Sequence, residues 1–566
     1  MSSITFVTVY FDIYEKTYEK TNENRYNKYW RYQQFEKIAK TGINICLYTN
    51  TDCYDDLNKI CINYSNVKLM DIFNLEDTFV CKSFKNIEYS LPDNRNNEKD
   101  TDKYMFIQNS KIEFVNNAIH KNYWNSTHFA WIDFSIAYIF KNEKTTLEHL
   151  TMLSKHQYPS TVFTIPGCWN PIEENKVEHI LNNVCWRFCG TFFLGDANSI
   201  NYVFELYKTH FEMFMREHKK LIWEVNFWAW LEANTDWKPD WYYGEHNDKI
   251  FNIPTKYYAS LLHDKLERSV YDYPKIENFF PSSASYLNHN GEHILNTRYV
   301  NYSFYPNGYY DIKHPENTII TRNMLSILND HLIPISYNEM NEYNIGLKSY
   351  DLYSIGLEDI RLYSYKGNIK FIATNVNYVG SRSNRMIIGD YDIKFCQYLN
   401  SKIIQPPTQT PCEKNWIPLN NGEEECFIYK WSPFEIGKIN HDTNHLEIIK
   451  SYEIKSPDFH RIRGSTIFID NINQKDLIGV VHFSEETSPR QYYHMLVTLD
   501  KETKLPISYS DPFCFQHHGV EFCIGFTIKD EKYVFWISKK DNDAIMVSID
   551  INEIPIRHNV LICNSY

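Results

Sequence analysis

The 566-residue chain has little glycine and no long apolar run. No stretch approaches the ~18 consecutive apolar residues that a membrane span requires, so we expect no such span. The chain starts MSSITFVTVYFDIYEK, with no basic region before its apolar run, which predicts a buried strand rather than a secretion signal. Only 18 glycines occur while Asn, Ile, Lys and Tyr recur, a bias typical of an AT-rich viral, protist or bacterial genome.

The sequence also lacks paired cysteines and an excess of basic residues. Its 13 cysteines are odd in number and scattered, and none form a CxxC pair, which argues against a disulfide framework or a structural zinc site. A reducing compartment, the cytoplasm, is the expected location. The formal net charge of -13 argues against a nucleic-acid partner. The oligomeric state is left open.

What the chain does have is aromatic and apolar material for more than one core. It is 43% hydrophobic and 16% aromatic, which excludes wholesale disorder, and its length predicts two or three domains. Up to about residue 265, apolar runs alternate with segments of helical spacing. The runs ITFVTVYF (4–11), INICLYT (43–49), VKLMDI (67–72), HFAWID (128–133) and STVFTIP (160–166) are predicted strands. This alternation predicts an α/β sheet with helices on both faces.

From about residue 280 the pattern changes to short β segments separated by polar turns. IRLYSYKGNIKFIATN (360–375) and IGFTIKDEKYVFWISKKD (524–541) each pair two apolar strands across a turn. Repeated modules of this kind favour the blades of a β-propeller, and a β-sandwich is the alternative. We therefore predict an α/β domain over 1–265, a linker over 266–281 and an all-β domain over 282–566.

The most informative local feature of the first half is Asp133, at the end of the apolar run WID. Ligands of open α/β sheets bind at the carboxyl ends of the strands, where a carboxylate can hold Mg²⁺ or Mn²⁺ against a diphosphate. The alternative is that Asp133 caps the next helix.

Three further residues are candidates. Lys111 precedes a predicted helix and is a candidate phosphate ligand or a solvated lysine. Glu224, on an aromatic helix, is a candidate base or acceptor ligand, or a helix-surface glutamate. His246 is a candidate metal ligand or an incidental loop histidine.

Together ITFVTVYFDI (4–13), YMFIQNSKIEFVNNAI (104–119), HFAWIDFSI (128–136) and CGTFFLGDANSINYVFELY (189–207) resemble the HtrL/WlaTC-type glycosyltransferase family. The resemblance covers roughly 4–255 and implies a GT-A-like nucleotide-sugar-binding domain, with a nucleotide sugar as donor and a glycan as acceptor. It makes Asp133 the metal or diphosphate carboxylate. Ser135 replaces the second acid of a DxD motif, which puts the metal requirement in question.

The second half contains ordered motifs of another kind. They are GLEDIR (356–361), KN (414–415) followed by IPL, VHF (481–483), YYHMLVTLD (492–500), GVEFCIG (519–525) and WISKKD (536–541). Over roughly 282–550 they resemble glycoside hydrolase family 130, which are five-bladed propellers that cleave β-mannosides with phosphate.

That resemblance implies a proton donor and an anion site. Asp359 corresponds to the donor, and an inverting reaction needs one acid and a separate nucleophile. Lys414 and His482 would hold phosphate, Lys430 stands where the family has arginine, and Asp541 closes the last motif. Arg461, Arg463 and Arg490 are further candidates for the anion site, or paired charges on a blade surface. Ile360 replaces the proline of the family motif.

These observations predict a glycosyltransferase joined to a propeller that binds or processes the glycan. Two alternatives stay open. In one, the propeller is the main enzyme, a mannoside phosphorylase or hydrolase. In the other, both halves form a non-catalytic glycan-binding protein.

Overall fold

The computed structural model describes residues 4–21, 23–84, 87–172, 177–305, 307–350, 353–421, 424–487 and 490–563. The chain forms two compact units, Met1–Tyr258 and Ala259–Tyr566. Among the described residues, no helix combines the length and the apolar character needed to cross a membrane.

The first unit is an α/β fold built on a seven-stranded sheet. Its strands are β1 (Ile4–Tyr10), β2 (Asn44–Thr49), β3 (Val67–Leu69), β4 (His128–Ile132), β5 (Phe163–Gly167), β6 (Phe192–Asp196) and β7 (Asp240–Tyr243). Its helices are α1 (Glu15–Thr21), α2 (Lys28–Ala39), α3 (Thr51–Cys61), α4 (Phe79–Ser83), α5 (Asp102–Asn109), α6 (Lys111–Lys121), α7 (Glu143–Leu153), α8 (Val177–Asn182), α9 (Ala197–His218) and α10 (Glu224–Asn234).

The strand order β3-β2-β1-β4-β6-β5-β7 creates a switch point between β1 and β4. Strand β2 lies on one side of β1 and β4 on the other, and both pair with β1 in parallel. The connections that leave β1 and β4 therefore lead to opposite sides of the sheet, which opens a crevice at the carboxyl ends of these two strands. Apolar clusters on the two faces of the sheet fix its position, as the sequence pattern predicts.

Helix α2 follows β1 and borders this crevice. It begins after Asn27, whose side chain accepts hydrogen bonds from the backbone amides of Tyr29 and Trp30. This cap satisfies amides that the first helical turn leaves unpaired. Tyr32, Phe35 and Ile38 are buried, so the helix presents its other residues outward or along the crevice.

The second unit is all-β. Its strands, in chain order, are β8 (Ser260–Leu261), β9 (Glu267–Ser269), β10 (Phe280–His289), β11 (Glu292–Val300), β12 (Tyr302–Phe304), β13 (Tyr310–Ile312), β14 (Ile319–Leu328), β15 (Asn338–Glu339), β16 (Ser354–Ile355), β17 (Glu358–Tyr365), β18 (Asn368–Asn375), β19 (Arg385–Asp392), β20 (Gln397–Ile404), β21 (Ile417–Asn421), β22 (Glu424–Trp431), β23 (Phe434–Asn440), β24 (His445–Ile454), β25 (Arg463–Gly464), β26 (Ile469–Asp470), β27 (Asp476–Glu485), β28 (Gln491–Asp500), β29 (Pro506–Ser510), β30 (Phe513–Cys514), β31 (Glu521–Lys529), β32 (Lys532–Lys539), β33 (Asp543–Asp550), β34 (Ile556–Asn559) and β35 (Ile562–Cys563).

These strands form mainly antiparallel sheets in a propeller-like arrangement, which confirms the predicted all-β layout. The sheets along the chain have five, two, four, five, eight and four strands. The prediction of five blades is not confirmed, because the sheets differ in strand number and only two are four-stranded.

The boundary between the units also differs from the predicted one. The second unit begins at Ala259, whereas the sequence pattern suggested an α/β domain up to 265 and a linker over 266–281. Strand β8 pairs with β30, and β9 pairs with β33. The expected linker therefore supplies a strand to a sheet of the second unit, because short polar segments such as Glu267–Ser269 give no apolar signal.

Candidate functional sites

In the first unit, a cavity of about 540 Å³ lies at the carboxyl ends of β1 and β4. Its lining residues come from both strand ends, from α2, and from the segments that follow β3 and β5. The predicted residues among them are Lys111, Asp133, Ser135, Glu224 and His246. The switch point of the sheet thus brings together all five first-half candidates.

Lys111 is the centre of the polar network at this cavity. Its Nζ donates to Oε1 of Glu224 at 2.8 Å and to the carbonyl of Gly190 at 2.7 Å. Oδ1 of Asp133 lies 3.1 Å from the same nitrogen and accepts from the indole of Trp131 at 2.7 Å. A Cβ at Gly190 would lie 2.1 Å from Oε1 of Glu224, so only glycine fits there.

The burial of these groups assigns their roles. The side chain of Lys111 is 1% exposed and that of Glu224 5%, whereas that of Asp133 is 31% exposed. Burial alone would lower the pKa of Lys111, but the charges and hydrogen bonds of Asp133 and Glu224 outweigh it and raise the pKa. Lys111 is therefore a buried counter-ion of two carboxylates rather than a solvated lysine, and its role as a phosphate ligand stays a prediction.

Glu224 and Asp133 also do not match the alternative roles given above, a helix-surface glutamate and a helix cap. Glu224 is the first residue of α10 and is buried against Lys111, so it is not a helix-surface residue. Its ion pair also leaves it poorly suited to act as a base. The side chain of Asp133 bonds to Lys111 and Trp131, and it makes no capping bond to the following 3₁₀ helix.

The metal prediction rests on two residues that line this cavity. Asp133 and the exposed His246 line the same cavity, and Ser135 is buried on its wall. Among the described residues, no third His, Cys, Asp or Glu joins Asp133 and His246 in a compact group of ligands. Two protein ligands fall short of a dedicated Mg²⁺ or Mn²⁺ cage, so a metal here would depend on oxygens of a bound ligand.

Three cations and three aromatic side chains of this cavity were not predicted from the sequence. Arg25, Arg31 and Lys99 line it, together with Trp30, Tyr138 and Trp186. The arginines stand in the crossover after β1, in NRY (24–26) and WRY (30–32). Basic residues beside aromatic ones in the first crossover of an open sheet were the signal available.

In the second unit, a cavity of about 460 Å³ has an aromatic wall formed by Phe304, Tyr305, Tyr310 and Tyr492. Arg490, Lys540 and His517 add basic groups, and Asp541 adds a carboxylate. Aromatic faces with a few polar groups are suited to binding sugar rings.

Three carboxylates surround Arg298 near this cavity. Nη1 of Arg298 lies 2.7 Å from Oδ1 of Asp359, and Nη2 lies 3.6 Å from Oε2 of Glu358. The hydroxyl of Tyr302 donates to Oδ2 of Asp541 at 3.3 Å. Burial raises the pKa of Asp541. The negative charges of Asp359 and Glu358 raise it further, against the opposing effect of Arg298.

The backbone around Asp359 explains the glycine of its motif. Gly356 has a φ of +92°, and a Cβ there would lie 2.0 Å from the carbonyl oxygen of Thr321. Asp359 itself has a φ of +52°, in a bulge of β17 between Glu358 and Arg361. Left-handed backbone at a non-glycine residue is held only where its surroundings enforce it, and such residues cluster at functional sites.

The other predicted basic residues do not line this cavity. None of Lys414, Lys430, Arg461, Arg463 and His482 is among its described lining residues. Lys414 is exposed, and Lys430 is exposed and lies 3.8 Å from Glu435. Arg461 lies 3.4 Å from Asp458 and 3.8 Å from Glu485, which matches its alternative interpretation as a paired surface charge.

His482 is buried beside Arg463 rather than open to a ligand. Its Nδ1 lies 2.8 Å from Oγ of Ser465, and Arg463 is its register partner across β25 and β27. Burial lowers the pKa of His482 well below its usual range, and the nearby His494, Arg361 and Arg463 lower it further. A neutral, buried imidazole adds no charge to an anion site.

The two candidate sites are thus the cavity at the switch point of the α/β unit and the carboxylate cluster of the all-β unit. Residues 2–220 match the family described as "Bacterial protein of unknown function (HtrL_YibB)". This match confirms the resemblance of the first half to the HtrL family but not its glycosyltransferase activity, and it spans less than half of the chain. No curated protein sequence matches the chain.

Solved structures similar to the chain include a β-1,2-mannobiose phosphorylase from Listeria innocua. It is 12% identical, with 51% of this chain and 97% of that chain covered and a TM-score of 0.34. The mannose phosphorylase MPT-4 from Leishmania mexicana, solved with a phosphate ion, is 11% identical, with 53% and 93% covered and a TM-score of 0.34. A glycosyl hydrolase from Bacteroides ovatus is 10% identical, with 50% and 86% covered and a TM-score of 0.34.

Proposed function

We propose that the second unit cleaves a glycosidic bond, with phosphate or water as the incoming group. The observation that carries this proposal is the cluster of three carboxylates around Arg298, with Asp541 on the wall of an aromatic-lined cavity. The ordered motifs of the second half point to the same chemistry, with a β-mannoside as the substrate class.

Asp359 and Asp541 supply the proton that the leaving sugar oxygen needs. Carboxylates close to one another do not all ionise easily, and an inverting cleavage uses one such protonated acid. Asp541 is the member with the raised pKa, while Asp359 is ion-paired with Arg298.

Arg490 and Lys540 are the groups placed to receive an incoming phosphate. Both line the cavity on whose wall Asp541 lies, unlike the other basic residues considered from the sequence. Arg490 is paired with Glu486 at 2.8 Å, so a phosphate would displace that carboxylate. Lys540 directly precedes Asp541, which places a cation beside the acid.

The test is sugar release from β-linked mannosides by the full chain, with and without inorganic phosphate. We expect phosphate-dependent release of a sugar 1-phosphate, and a loss of about 10²-fold or more in kcat for Asp541→Asn and for Asp359→Asn, because general acid catalysis contributes about that much. The exposed Asp543→Asn, two residues from Asp541, is the matched control and should retain wild-type activity.

Two outcomes would contradict the proposal. If wild type releases no sugar from any β-mannoside but binds them, the unit is a glycan-binding module. If release occurs and both carboxylate variants retain it, the acid lies elsewhere.

A second candidate function is sugar transfer by the first unit from a nucleotide sugar to a glycan. The observation that favours it is the switch-point cavity, the place where open α/β sheets bind nucleotides, with the partly exposed Asp133 on its wall. Lys111 and Glu224 would hold Asp133 in place. Asp133 would face the donor, either directly or through a divalent metal.

A further inference from the structure

The lysines and arginines that line the cavity of the first unit differ in whether a carboxylate pairs with them. Lys111 is paired with Glu224 and Asp133, Lys99 lies 3.8 Å from Asp100, and Arg25 lies 2.5 Å from Glu23. In the described part of the chain, no carboxylate lies within 4.0 Å of the Arg31 guanidinium. Arg31 therefore contributes a positive charge to the cavity that no close carboxylate balances.

Arg31 is held by contacts that leave most of its donors unused. Its Nε donates to the carbonyl of Arg25 at 2.8 Å, and its guanidinium lies 5.1 Å from the ring centre of Tyr14. The residue is half-buried on α2. Within the described chain, its two terminal amino groups make no further hydrogen bond. A guanidinium fixed at Nε and stacked on a ring is preorganised to bind an anion with both terminal groups.

The wall of the cavity also carries carboxylates. Asp133 and Glu224 share Lys111 as their cation among the described residues, so this part of the wall has an excess negative charge. Tyr138 lines the same cavity. Burial raises the pKa of its hydroxyl, the charge of Asp133 raises it further, and the charges of Arg31 and Arg25 oppose the increase. The carboxylates and the arginines therefore act on a shared residue of the wall.

Exposed aromatic rings complete the wall. Tyr138 is 55% exposed and Trp186 36% exposed, and the Tyr138 and Trp30 ring centres are 5.9 Å apart. Flat apolar faces that stay open in a polar cavity are suited to stacking on a base or a sugar ring. The wall thus offers an anion-binding part, a stacking surface and a hydrogen-bond-accepting part.

We infer that Arg31 is the phosphate-binding residue of the first unit, in a site for a ligand that carries a phosphate or diphosphate group and a ring. This inference deepens the second candidate function and rests on it only for the identity of the ring. It moves the phosphate site from Lys111, which is buried, to Arg31 and Arg25, which line the same cavity.

The test is calorimetric titration of the full chain with inorganic phosphate, pyrophosphate and UDP. We expect wild type to bind pyrophosphate and to bind UDP more tightly, because the base adds stacking. Arg31→Gln should weaken both at least tenfold. The affinity of Arg31→Lys for each ligand should lie between those of wild type and Arg31→Gln, since a lysine keeps the charge and loses the paired donors.

Two controls locate the effect. Arg216→Gln changes an exposed arginine on α9 that is paired with Glu212, and Arg463→Gln changes an exposed arginine of the second unit. Both should bind pyrophosphate as wild type does. Thermal unfolding of each variant checks that it is folded, and Arg31→Lys keeps the test valid if Arg31→Gln unfolds.

Three outcomes would overturn the inference. They are no pyrophosphate or UDP binding by wild type, Arg31→Gln binding within twofold of wild type, and loss of binding in Arg463→Gln alone. Sugar transfer from UDP-sugars is measured separately. If binding depends on Arg31 and no transfer occurs, the phosphate site stands and the second candidate function fails.

Discussion

His494 shows how a single buried group makes stability depend on pH. It is fully buried in β28, and neither ring nitrogen has a hydrogen-bond partner. Burial lowers the pKa of His494 to about 4, against an opposing effect of Glu521. The imidazole is thus neutral in the folded protein near pH 7.

We expect the free energy of unfolding to fall as the pH decreases from about 6.5 to about 4. Over this range the unfolded chain gains a proton that the folded state excludes, which amounts to about 3 kcal/mol for this group. His494→Phe removes the titration and two unpaired polar atoms. Its free energy of unfolding should match or exceed that of wild type at pH 7 and depend less on pH below 6.5.

Urea unfolding at several pH values measures this difference. The exposed His331→Gln is the control and should keep the wild-type pH dependence. If the free energy of unfolding of His494→Phe depends on pH as strongly as that of wild type, His494 is not the cause of the loss of stability at low pH.

Single residues also show where sequence reasoning stops. Asp133 was predictable, because an acid directly after an apolar strand falls at the carboxyl edge of the sheet. The role of Lys111 was not, since its partner Glu224 is 113 residues away and only packing buries the pair. Arg31 was missed for the same reason, because nothing local shows which cation lacks a carboxylate.

At the scale of elements, three hairpin turns differ in how well their residues suit the backbone. Asn290-Gly291 joins β10 and β11, and Lys366-Gly367 joins β17 and β18, each with two positive φ angles. Asp530-Glu531 joins β31 and β32 with φ values of 50° and 58° and no glycine. Two-residue turns of this kind favour Asn-Gly.

We expect the double variant Asp530→Asn, Glu531→Gly to raise the free energy of unfolding by about 1 kcal/mol, because glycine removes the left-handed strain. Gly367→Ala should lower it by a similar amount. A Cβ at Gly367 meets no atom within 4 Å, so its effect reports backbone strain alone. Chemical denaturation of both variants measures these changes, and no change in either would contradict the assignment of strain.

The strands show which elements were predictable. The five strands predicted in the first half correspond to β1 through β5, with ends that differ by up to three residues. Strand β6 was missed, although it lies between β4 and β5 and runs antiparallel to both. Its run, FFLGD, is short and leads directly into α9, so the local pattern does not separate it from the helix.

At the scale of the whole molecule, the position of the unit boundary has a measurable consequence. Strands β8 and β9 precede the predicted domain start at 282 and pair with β30 and β33. Without β9, the edge of β33 is left unpaired, and an open edge promotes aggregation.

We therefore expect the fragment 259–566 to be folded and soluble. The fragment 282–566 should have a lower Tm, by several degrees, and should aggregate. Differential scanning fluorimetry and size-exclusion chromatography compare the two. Equal Tm values would mean that β8 and β9 add nothing to the fold of the second unit.

By itself, the sequence determined the two-part layout, most strands of the α/β sheet, the all-β second half and the placement of Asp133. These features follow from spacing along the chain, because alternation of apolar residues and strand-end positions are local properties. Only the tertiary structure decided which charged side chains lie close to one another. It buried Lys111 between Glu224 and Asp133, left Arg31 without a close carboxylate, and gathered Asp359 and Asp541 around Arg298. Those groups lie tens to hundreds of residues apart, so sheet topology and packing alone set their distances, burial and charge balance.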